Sequence, residues 1–491
     1  MLGKRGPACV STPCQNSFTQ LIFHSLLCLF ALLFISSAPA AFAQDYGGSG
    51  SQSNNSGASP ESNNQNSAGE LQPVYPGEPM NKPPVEAKIG PEKLRVYGTV
   101  LLNISISDSD EVGQDVPLWP FPSTTNVTFA DGTTKRAGDI HDTIFTARQS
   151  VLGAVLNPAD PSAKGWNTSA EVEFDFFGTT PVDTDIPEDR VLNQPRLRKA
   201  FIQLQKGGFK LVAGQDNIII SPLDPISLSH VAYPLGFSAG DLFGWLPQVR
   251  VDYAHKWAHS TSTLFQFGVL RPAFGDARLG DQPPVDITVN TSSGLGERAS
   301  QPFYQARAAI SHPLNGSQAT LGIAGHYGEE RTSANATVDS WAFTFDYRVP
   351  LLRKLILRGE GYLGSNLVPF GGGILQGVTA VPAATPFTII HKLGDGGGWA
   401  ELTLLATKKD VFYAGYSQDS PVYHDLLPGS GRYRNAVAWG SYFRKLTPGF
   451  TLAAEFSDWQ FRTTNFTGNH PGPRGPFGRG NVVNVALAYA F

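Results

Sequence analysis

Charged side chains recur at every second position in several stretches of this 491-residue chain. In AEVEFDFF, Glu171, Glu173 and Asp175 alternate with apolar residues, and in VRVDYA Arg250 and Asp252 do the same. A β-strand sends successive side chains to opposite faces, so these stretches predict strands with one charged and one apolar face. Charges of both signs that face a shared water-filled space can select solutes by charge and width. The pattern therefore indicates a water-filled passage for solutes and not a reaction site.

The same alternation extends to other strands and predicts a set of inward-facing charged residues. In SWAFTFDYR, Trp341 and Phe343 fall on one parity, and Asp346 and Arg348 fall on the other. The complete predicted pore-lining set is Arg95, Glu171, Glu173, Asp175, Arg250, Asp252, Arg307, Asp346, Arg348, Arg358 and Glu360. Facing charges of opposite sign would set up a transverse field that disfavours apolar solutes.

Motifs give little support for catalysis. GFSAG at 236–240 fits the letters of G-x-S-x-G, whereas GYSQD around Ser417 does not, and the ten histidines show no H-E-x-x-H spacing. A serine in such a pattern also needs a base beside it to act as a nucleophile. His326 falls on the inward parity without an evident catalytic partner in the sequence. We therefore expect no enzyme activity, no cofactor and no metal site.

Composition restricts the class of protein further. The chain carries 37 basic and 41 acidic residues, a net charge of -4, and no basic patch, so nucleic acid is a poor partner. All three cysteines, Cys9, Cys14 and Cys28, lie near the start of the chain. The remainder can form neither a disulfide nor a thiolate metal site.

The first 92 residues predict export and a spacer. Lys4 and Arg5 precede the apolar run LIFHSLLCLFALLFI, and Ala-Phe-Ala ends at Ala43, which together predict a signal peptide over 1–43. The alternative is an N-terminal membrane anchor, although the apolar run is short for a membrane span. The Ser/Asn/Gly-rich and then Pro-rich stretch 44–92 predicts a disordered periplasmic spacer.

Residues 93–491 predict an all-β transmembrane barrel of about 16 antiparallel strands. The gaps between strands are short and long nearly in alternation, as expected for short periplasmic turns and long outer loops. The predicted strands are 93–106, 142–156, 166–178, 194–206, 208–216, 246–256, 261–270, 303–312, 317–329, 337–349, 354–365, 395–407, 410–418, 433–445, 449–463 and 480–491.

The chain ends in NVVNVALAYAF, whose large apolar residues share one parity. This pattern predicts a last strand that turns its apolar face to outer-membrane lipid and pairs with the strand 93–106. A β-sandwich would also contain alternating strands, but sixteen of them would need an unusually large core or a second domain.

Particular stretches resemble the trimeric general porins of Gram-negative outer membranes. RKAFIQLQKGGFKLVAGQD is similar to their hairpin pattern at Arg198, Ala200, Phe201, Leu204 and Gly214, although Gln215 stands where the family commonly has a basic residue. TARQSVLGAV resembles the family's second strand. Leu487, Tyr489 and the terminal Phe491 resemble its assembly signal, which implies recognition by the barrel-assembly machinery.

The resemblance implies a homotrimer in the cell outer membrane that passes small hydrophilic solutes. It also implies that the third long loop, 217–245, folds into the barrel and narrows it. The carboxylates of this loop are Asp224 and Asp241, and we expect some arginines of the wall to oppose them. Tyr233 and Phe237 of the same loop either anchor it to the wall or offer a stacking surface to solutes.

Three points stay open at the level of sequence. The channel is either a general one or specific for sugars or organic acids, and an adhesin or structural anchor is a further alternative. The faces of strand 194–206 are also ambiguous. If Arg198 points inward, simple alternation turns Phe201 outward together with Lys199, Gln203 and Gln205, which packed trimer contacts would tolerate better than lipid.

Overall fold

The computed structural model describes residues 85–113, 115–162, 165–178, 194–274, 294–331, 337–381, 388–467, 470–472 and 475–491. The predicted signal peptide 1–43 and residues 44–84 of the predicted spacer lie outside these ranges. Within them the chain is almost entirely β-structure.

Sixteen strands form one closed antiparallel barrel, as the alternating pattern predicts. Each strand pairs with the next along the chain, and the second strand is interrupted between its two pieces. The strands are β1 (Glu92–Ser107), β2 (Asp142–Thr146 and Val151–Pro158), β3 (Asn167–Gly178), β4 (Gln194–Lys206), β5 (Phe209–Asn217), β6 (Trp245–Lys256), β7 (Ser262–Leu270), β8 (Phe303–Leu314), β9 (Ser317–Arg331), β10 (Thr337–Leu352), β11 (Leu355–Ser365), β12 (Gly394–Leu405), β13 (Asp410–Asp419), β14 (Arg432–Thr447), β15 (Phe450–Thr463) and β16 (Phe477–Ala490).

Pairing of β16 with β1 closes the ring. Leu487 lies opposite Leu102 and Tyr489 opposite Val100, so the apolar residues of both strands share the outer face. Beyond the strand, Phe491 and Gly98 exchange two backbone hydrogen bonds of 3.0 and 3.1 Å. The prediction that the end of the chain is held by the first strand is confirmed.

The two faces of the barrel have opposite chemistry. Large apolar side chains are exposed on the outside, for example Ile323 at 52%, Phe343 at 51% and Phe265 at 52%. Their neighbours on the other parity are small, polar or charged, and most are buried inside the barrel. A fold that exposes its apolar side chains and buries its charges suits a lipid surrounding.

The connections differ in length between the two ends of the barrel. At the turn end, β4 and β5 are joined by Gly207 and Gly208, and β8 and β9 by Asn315 and Gly316. At the loop end, the long connections carry short elements of their own: Glu111–Val112 with Trp119–Pro120, Asn126–Thr128 with Thr134–Arg136, Val378–Val381 with Thr388–Lys392, and Asn465–Thr467 with His470–Gly472. Among the described residues, no helix is both long and apolar enough to cross a membrane.

The predicted boundary of the spacer at residue 92 is wrong. Residues Val85–Ile89 form a strand that pairs with the first residues of β1, from Val85 opposite Val96 to Ile89 opposite Glu92. Gly90, in the left-handed region at φ 62°, provides the tight turn between them. The valine and isoleucine at the ends of VEAKI are strand formers, which the preceding prolines obscure in the sequence.

The ambiguity of strand 194–206 is resolved by a β-bulge. The pairing of β4 with β3 shifts register between Leu197 and Lys199, so Arg198 and Lys199 both turn inward. Beyond the bulge, Phe201 is buried at 8% exposure, whereas Ile202 is exposed outside at 59%. The interpretation that Phe201 and Lys199 face outward is therefore wrong, because one extra residue reverses the parity.

A charge on the outer face tests the orientation of the wall. Ile323 lies near the middle of β9, between Ala308 and Phe345. We expect Ile323→Arg to lower the free energy of unfolding by ~2–4 kcal/mol in lipid vesicles, because an arginine at the bilayer midplane must be desolvated. Urea titration of the refolded protein measures it, with Ile323→Leu as control; an unchanged free energy would contradict a lipid-facing wall.

Candidate pore and constriction

The connection between β5 and β6, residues 218–244, lies against the inner wall of the barrel. We call it the inner loop. Near its start, the Ile219 N–H donates to Gln305 Oε1 on β8 at 2.7 Å. Thr344 Oγ1 on β10 donates to the Ile220 carbonyl at 2.6 Å. The first residues of the loop thus run from β5 across the wall towards β10.

Polar side chains of the next strands hold the middle of the inner loop. Glu360 on β11 accepts hydrogen bonds from the Leu223 N–H at 2.7 Å and from the Ser221 hydroxyl. Glu401 on β12 accepts one from the Ile226 N–H at 3.0 Å. Because the acceptors are carboxylates, these bonds are stronger than those between neutral groups.

The loop then reaches the first strands of the barrel. Asn103 Nδ2 on β1 donates to the Leu228 carbonyl at 3.0 Å. Gln149, between the two pieces of β2, makes three bonds: its Nε2 donates to Ser229 O at 2.9 Å, and its Oε1 accepts from Val231 N and Ala232 N at 2.8 and 3.0 Å. One side chain therefore binds three of the four residues 229–232.

The last part of the inner loop returns along β14, β13 and β12. Asn435 Nδ2 donates to the Ser238 carbonyl at 3.0 Å, and Ser417 Oγ donates to the Ala239 carbonyl at 2.6 Å. The inner loop thus contacts strands on every side of the interior before it joins β6. The prediction that the third long loop folds inward agrees with this path.

Apolar packing accompanies these hydrogen bonds. The start and end of the inner loop, with Ile218 and Leu242, pack on β7–β11, while Leu228 and Val231 pack between β1–β2 and β13–β16. Leu235 lies among Trp399, Trp439 and Trp459. The loop is apolar in sequence because it is an interior layer.

Most of the predicted pore-lining charges lie beneath or beside this layer. Nine of the eleven are partners in the following contacts: Arg198 with Glu173 and Asp175 at 2.9 and 3.3 Å, Lys199 with Glu171 at 3.7 Å, Arg250 with Asp252 at 3.0 Å, Arg307 with Asp346 at 2.7 Å, Arg358 with the Asp224 carbonyl at 2.6 Å, and Glu360 with the Leu223 N–H at 2.7 Å.

The other two predicted pore-lining residues, Arg95 and Arg348, lie towards the turn end. Arg95 is exposed, with its guanidinium carbon 5.9 Å from the Tyr97 ring centre. Arg348 is half-buried and its Nη1 donates to Gln318 O at 2.5 Å. Charged groups with access to water are thus found nearer the end of the barrel than its middle.

Burial raises the pKa of both carboxyl groups of the inner loop. Burial raises the pKa of Asp224 to about 7, against the opposing effect of Arg358, Arg198 and Lys199. Burial, with Asp224 and Glu360 nearby, raises the pKa of Asp241 well above its usual range. Asp241 accepts a hydrogen bond from Trp399 Nε1 at 3.1 Å. Arg358, Arg198 and Lys199 lie near Asp224, and the Asp224 carbonyl also accepts a hydrogen bond from Arg358.

The two aromatic residues singled out in the loop belong to a half-buried group of rings. Tyr233 and Phe237 lie 5.0 Å apart between ring centres, and Phe243 lies 6.3 and 6.1 Å from them. Phe243 in turn contacts Trp245 at 4.6 Å. Tyr233 and Phe237 keep part of their surface exposed, so anchoring the loop does not exhaust their surface.

Two further loops enter the barrel from the loop end. In the β11–β12 connection, the N–H groups of Gly373 and Ile374 donate to Asp395 at 2.6 Å and Asp419 at 3.1 Å. In the β1–β2 connection, the Leu118 carbonyl accepts from Asn435 Nδ2 at 2.6 Å. The sequence predicted one inward loop, 217–245, and neither of these two.

The prediction also missed several inward side chains that hold the inner loop. Gln149, Asn103 and Gln305 contact its backbone but are uncharged, and a search for charge patterns passes over them. Arg196 donates to the Ala232 carbonyl at 2.7 Å and lies at the uncertain start of β4. Arg196 is two positions from Arg198 in QPRLRK, and this spacing is the signal that could have placed both on the inner face.

Comparison with known proteins supports the fold. No protein-family model matches this chain, and no curated protein matches it. Among solved structures it is similar to the outer-membrane channel DcaP of Acinetobacter baumannii, with 14% identity, a TM-score of 0.57 and coverage of 82% of this chain and 99% of that one. OmpT of Vibrio cholerae and the anion-selective porin of Comamonas acidovorans match with 11% and 13% identity, each with a TM-score of 0.46. They cover 83% and 82% of this chain and 100% of their own. The likeness to DcaP identifies a porin-like fold.

Gln149 provides a test of how the inner loop is held. We expect Gln149→Leu to speed hydrogen exchange of the 228–232 amides by roughly tenfold or more, since each buried group left unpaired costs ~1–3 kcal/mol. Gln149→Glu separates the two kinds of bond, because its carboxylate still accepts from the Val231 and Ala232 N–H groups but cannot donate to the Ser229 carbonyl, so its effect should be smaller than that of Gln149→Leu. Equal protection in Gln149→Leu and the wild type, measured by mass spectrometry, would show that packing alone holds the loop.

Asp224 makes the packing of the inner loop depend on pH. Its pKa of about 7 lies above the ordinary 3.8, so the packed loop binds the proton more tightly than the released loop does. Packing should therefore weaken as pH rises from about 4 to about 7 and then level off. Exchange rates of the loop amides, corrected for intrinsic rates, measure this trend. Asp224→Asn should reduce the slope, and a slope equal to that of the wild type would assign it to other groups.

Proposed function

We propose that this protein is an outer-membrane channel through which small hydrophilic solutes cross by passive diffusion. The observation that carries the proposal is the closed barrel with apolar side chains outside, charged side chains inside, and one loop along its inner wall. A barrel of this kind satisfies its backbone in lipid and leaves a polar interior for solutes. The fold likeness to an outer-membrane channel supports it and favours a channel over an enzyme.

The inner loop is the constriction in this proposal. It contacts the wall from β8 through β12 and from β1 to β4, and the inward charges around it are engaged in bonds. In this proposal, water and solutes pass through the space that the inner loop leaves open, or displace part of the loop. Contacts of the inner loop around so much of the wall favour a narrow, solute-selective channel. A wide general pore is the second candidate function.

Targeting and assembly belong to the same proposal. The predicted signal peptide 1–43 would direct export, and Leu487, Tyr489 and Phe491 would present the last strand to the barrel-assembly machinery. A homotrimer embedded in outer-membrane lipid is the assembly that the family resemblance implies.

Single-channel recording in a planar bilayer tests the proposal. We expect the refolded chain without residues 1–43 to give ohmic current steps, arriving in threes if it is a trimer. Gln149→Leu should raise the conductance or its noise, because the inner loop is less firmly held. Gln149→Glu keeps the acceptor for the Val231 and Ala232 N–H groups but loses the donor to the Ser229 carbonyl, and should have a smaller effect than Gln149→Leu. Absence of current from a barrel whose folding is verified by heat-modifiable mobility would overturn the channel function.

A further inference from the structure

Guanidinium groups alternate with aromatic rings at the loop end of the interior. The guanidinium carbon of Arg148 lies 3.8 Å from the Phe177 ring centre. That of Arg196 lies 4.7 Å from Tyr233, 5.1 Å from Trp245 and 5.4 Å from Phe177. We call Arg148, Arg196, Phe177, Tyr233 and Trp245 the guanidinium–ring cluster.

The cluster is built from irregularities in separate elements. Arg148 belongs to the break in β2, Arg196 precedes the bulge of β4, and Tyr233 belongs to the inner loop. Phe177 and Trp245 lie at the loop ends of β3 and β6. Behind the cluster, the buried Arg198 stacks under Trp245 at 4.7 Å. The residues converge although the sequence spreads them over almost 100 positions.

The edges of these guanidinium groups are already bound to carboxylates of the protein. Arg148 contacts Asp115 through Nε at 2.8 Å and Nη2 at 2.5 Å. Arg196 contacts Asp175 through Nε at 3.1 Å and Nη2 at 2.6 Å. Each exposed cation therefore has an anion beside it. The cluster has little net charge to offer a solute.

Every residue of the cluster keeps part of its surface open to solvent. The side chains of Arg148 and Arg196 are 15% and 19% exposed, and Phe177, Tyr233 and Trp245 are each partly exposed. Salt bridges hold the guanidinium planes in place, so stacking on them requires little further ordering. Planar π-systems stack on both guanidinium planes and aromatic faces.

We propose that the guanidinium–ring cluster is a recognition site for planar aromatic or heteroaromatic solutes, which it selects by their ring faces and not by their charge. The proposal rests on the channel function proposed above and adds the class of solute. A solute entering from the loop end would stack on this surface before it reaches the constriction.

Two matched pairs of probes separate stacking from charge in planar-bilayer recordings. Benzamide and cyclohexanecarboxamide are uncharged and similar in size, and only the first is planar. Benzoate and cyclohexanecarboxylate repeat the comparison with a negative charge. We expect the aromatic member to block current at roughly tenfold lower concentration in both pairs. If both carboxylates block the current equally and neither amide does, the channel recognises the negative charge of the solute and the proposal is wrong.

Variants locate the site. Arg196→Lys keeps the charge beside Asp175 but removes the plane, and Phe177→Leu keeps an apolar side chain but removes the ring. Each should bring the blocking concentrations of the two members of a pair within about twofold of each other. Arg434→Lys is the control, since Arg434 lies on the outward parity of β14 and donates to Gln418 Oε1 at 2.9 Å.

The outcomes distinguish the two proposals. Current without ring preference in the wild type contradicts the recognition site and leaves the channel standing. A preference that survives in Arg196→Lys and Phe177→Leu shows that the rings bind elsewhere and also overturns the site. Heat-modifiable mobility checks that each variant is folded, and absence of current in a folded wild type counts against the channel itself.

Discussion

Every backbone N–H and C=O in a lipid surrounding needs a hydrogen-bond partner within the protein, and the pairing of β16 with β1 meets this requirement here. Without that pairing both strands would be open edges of a sheet. Leu487 and Tyr489 pair with Leu102 and Val100 near the end of β16, and the backbone of Phe491 forms two further hydrogen bonds with Gly98. Closure holds the strands in register, because a slip of one residue in a regular strand would turn its charges to lipid; the bulge of β4 is a local exception.

Closure also creates the demand that the inner loop satisfies. Charged and amide side chains on the inner face lose water when the interior is filled, and each then requires a partner. The inner loop supplies N–H groups to Glu360, Glu401 and Gln149, and carbonyls to Asn103 and Arg196. The wall and the loop thus satisfy each other. Polar residues on strands far from the loop in sequence therefore determine where the loop lies.

This division explains what could be predicted from the sequence. The strands follow from a local property, the period of two, and all sixteen were recognised because each carries its own pattern. The bulge at Arg198 breaks that period within one strand, and only its pairing with β3 reveals it. Gln149 and the entry of Gly373 into the barrel depend on contacts across the interior, which no local pattern encodes. The strand at Val85 was missed because prolines precede it.

The arrangement of charge inside the barrel separates two kinds of selectivity. Around the middle of the inner loop, Asp224, Glu360 and Glu401 lie near Arg358. The raised pKa of Asp224 means that its carboxyl group is mostly protonated and uncharged below about pH 7. Towards the loop end, the guanidinium groups of Arg148 and Arg196 are neutralised by Asp115 and Asp175, and their side chains stay partly exposed. On the proposal made above, a solute would meet the guanidinium–ring cluster first and the hydrogen-bonding groups around the inner loop second. The charges that the alternating strands place inside the barrel are largely paired with neighbouring charges of opposite sign. Selection by shape and hydrogen bonding, and not by net charge, is therefore what the proposed site requires.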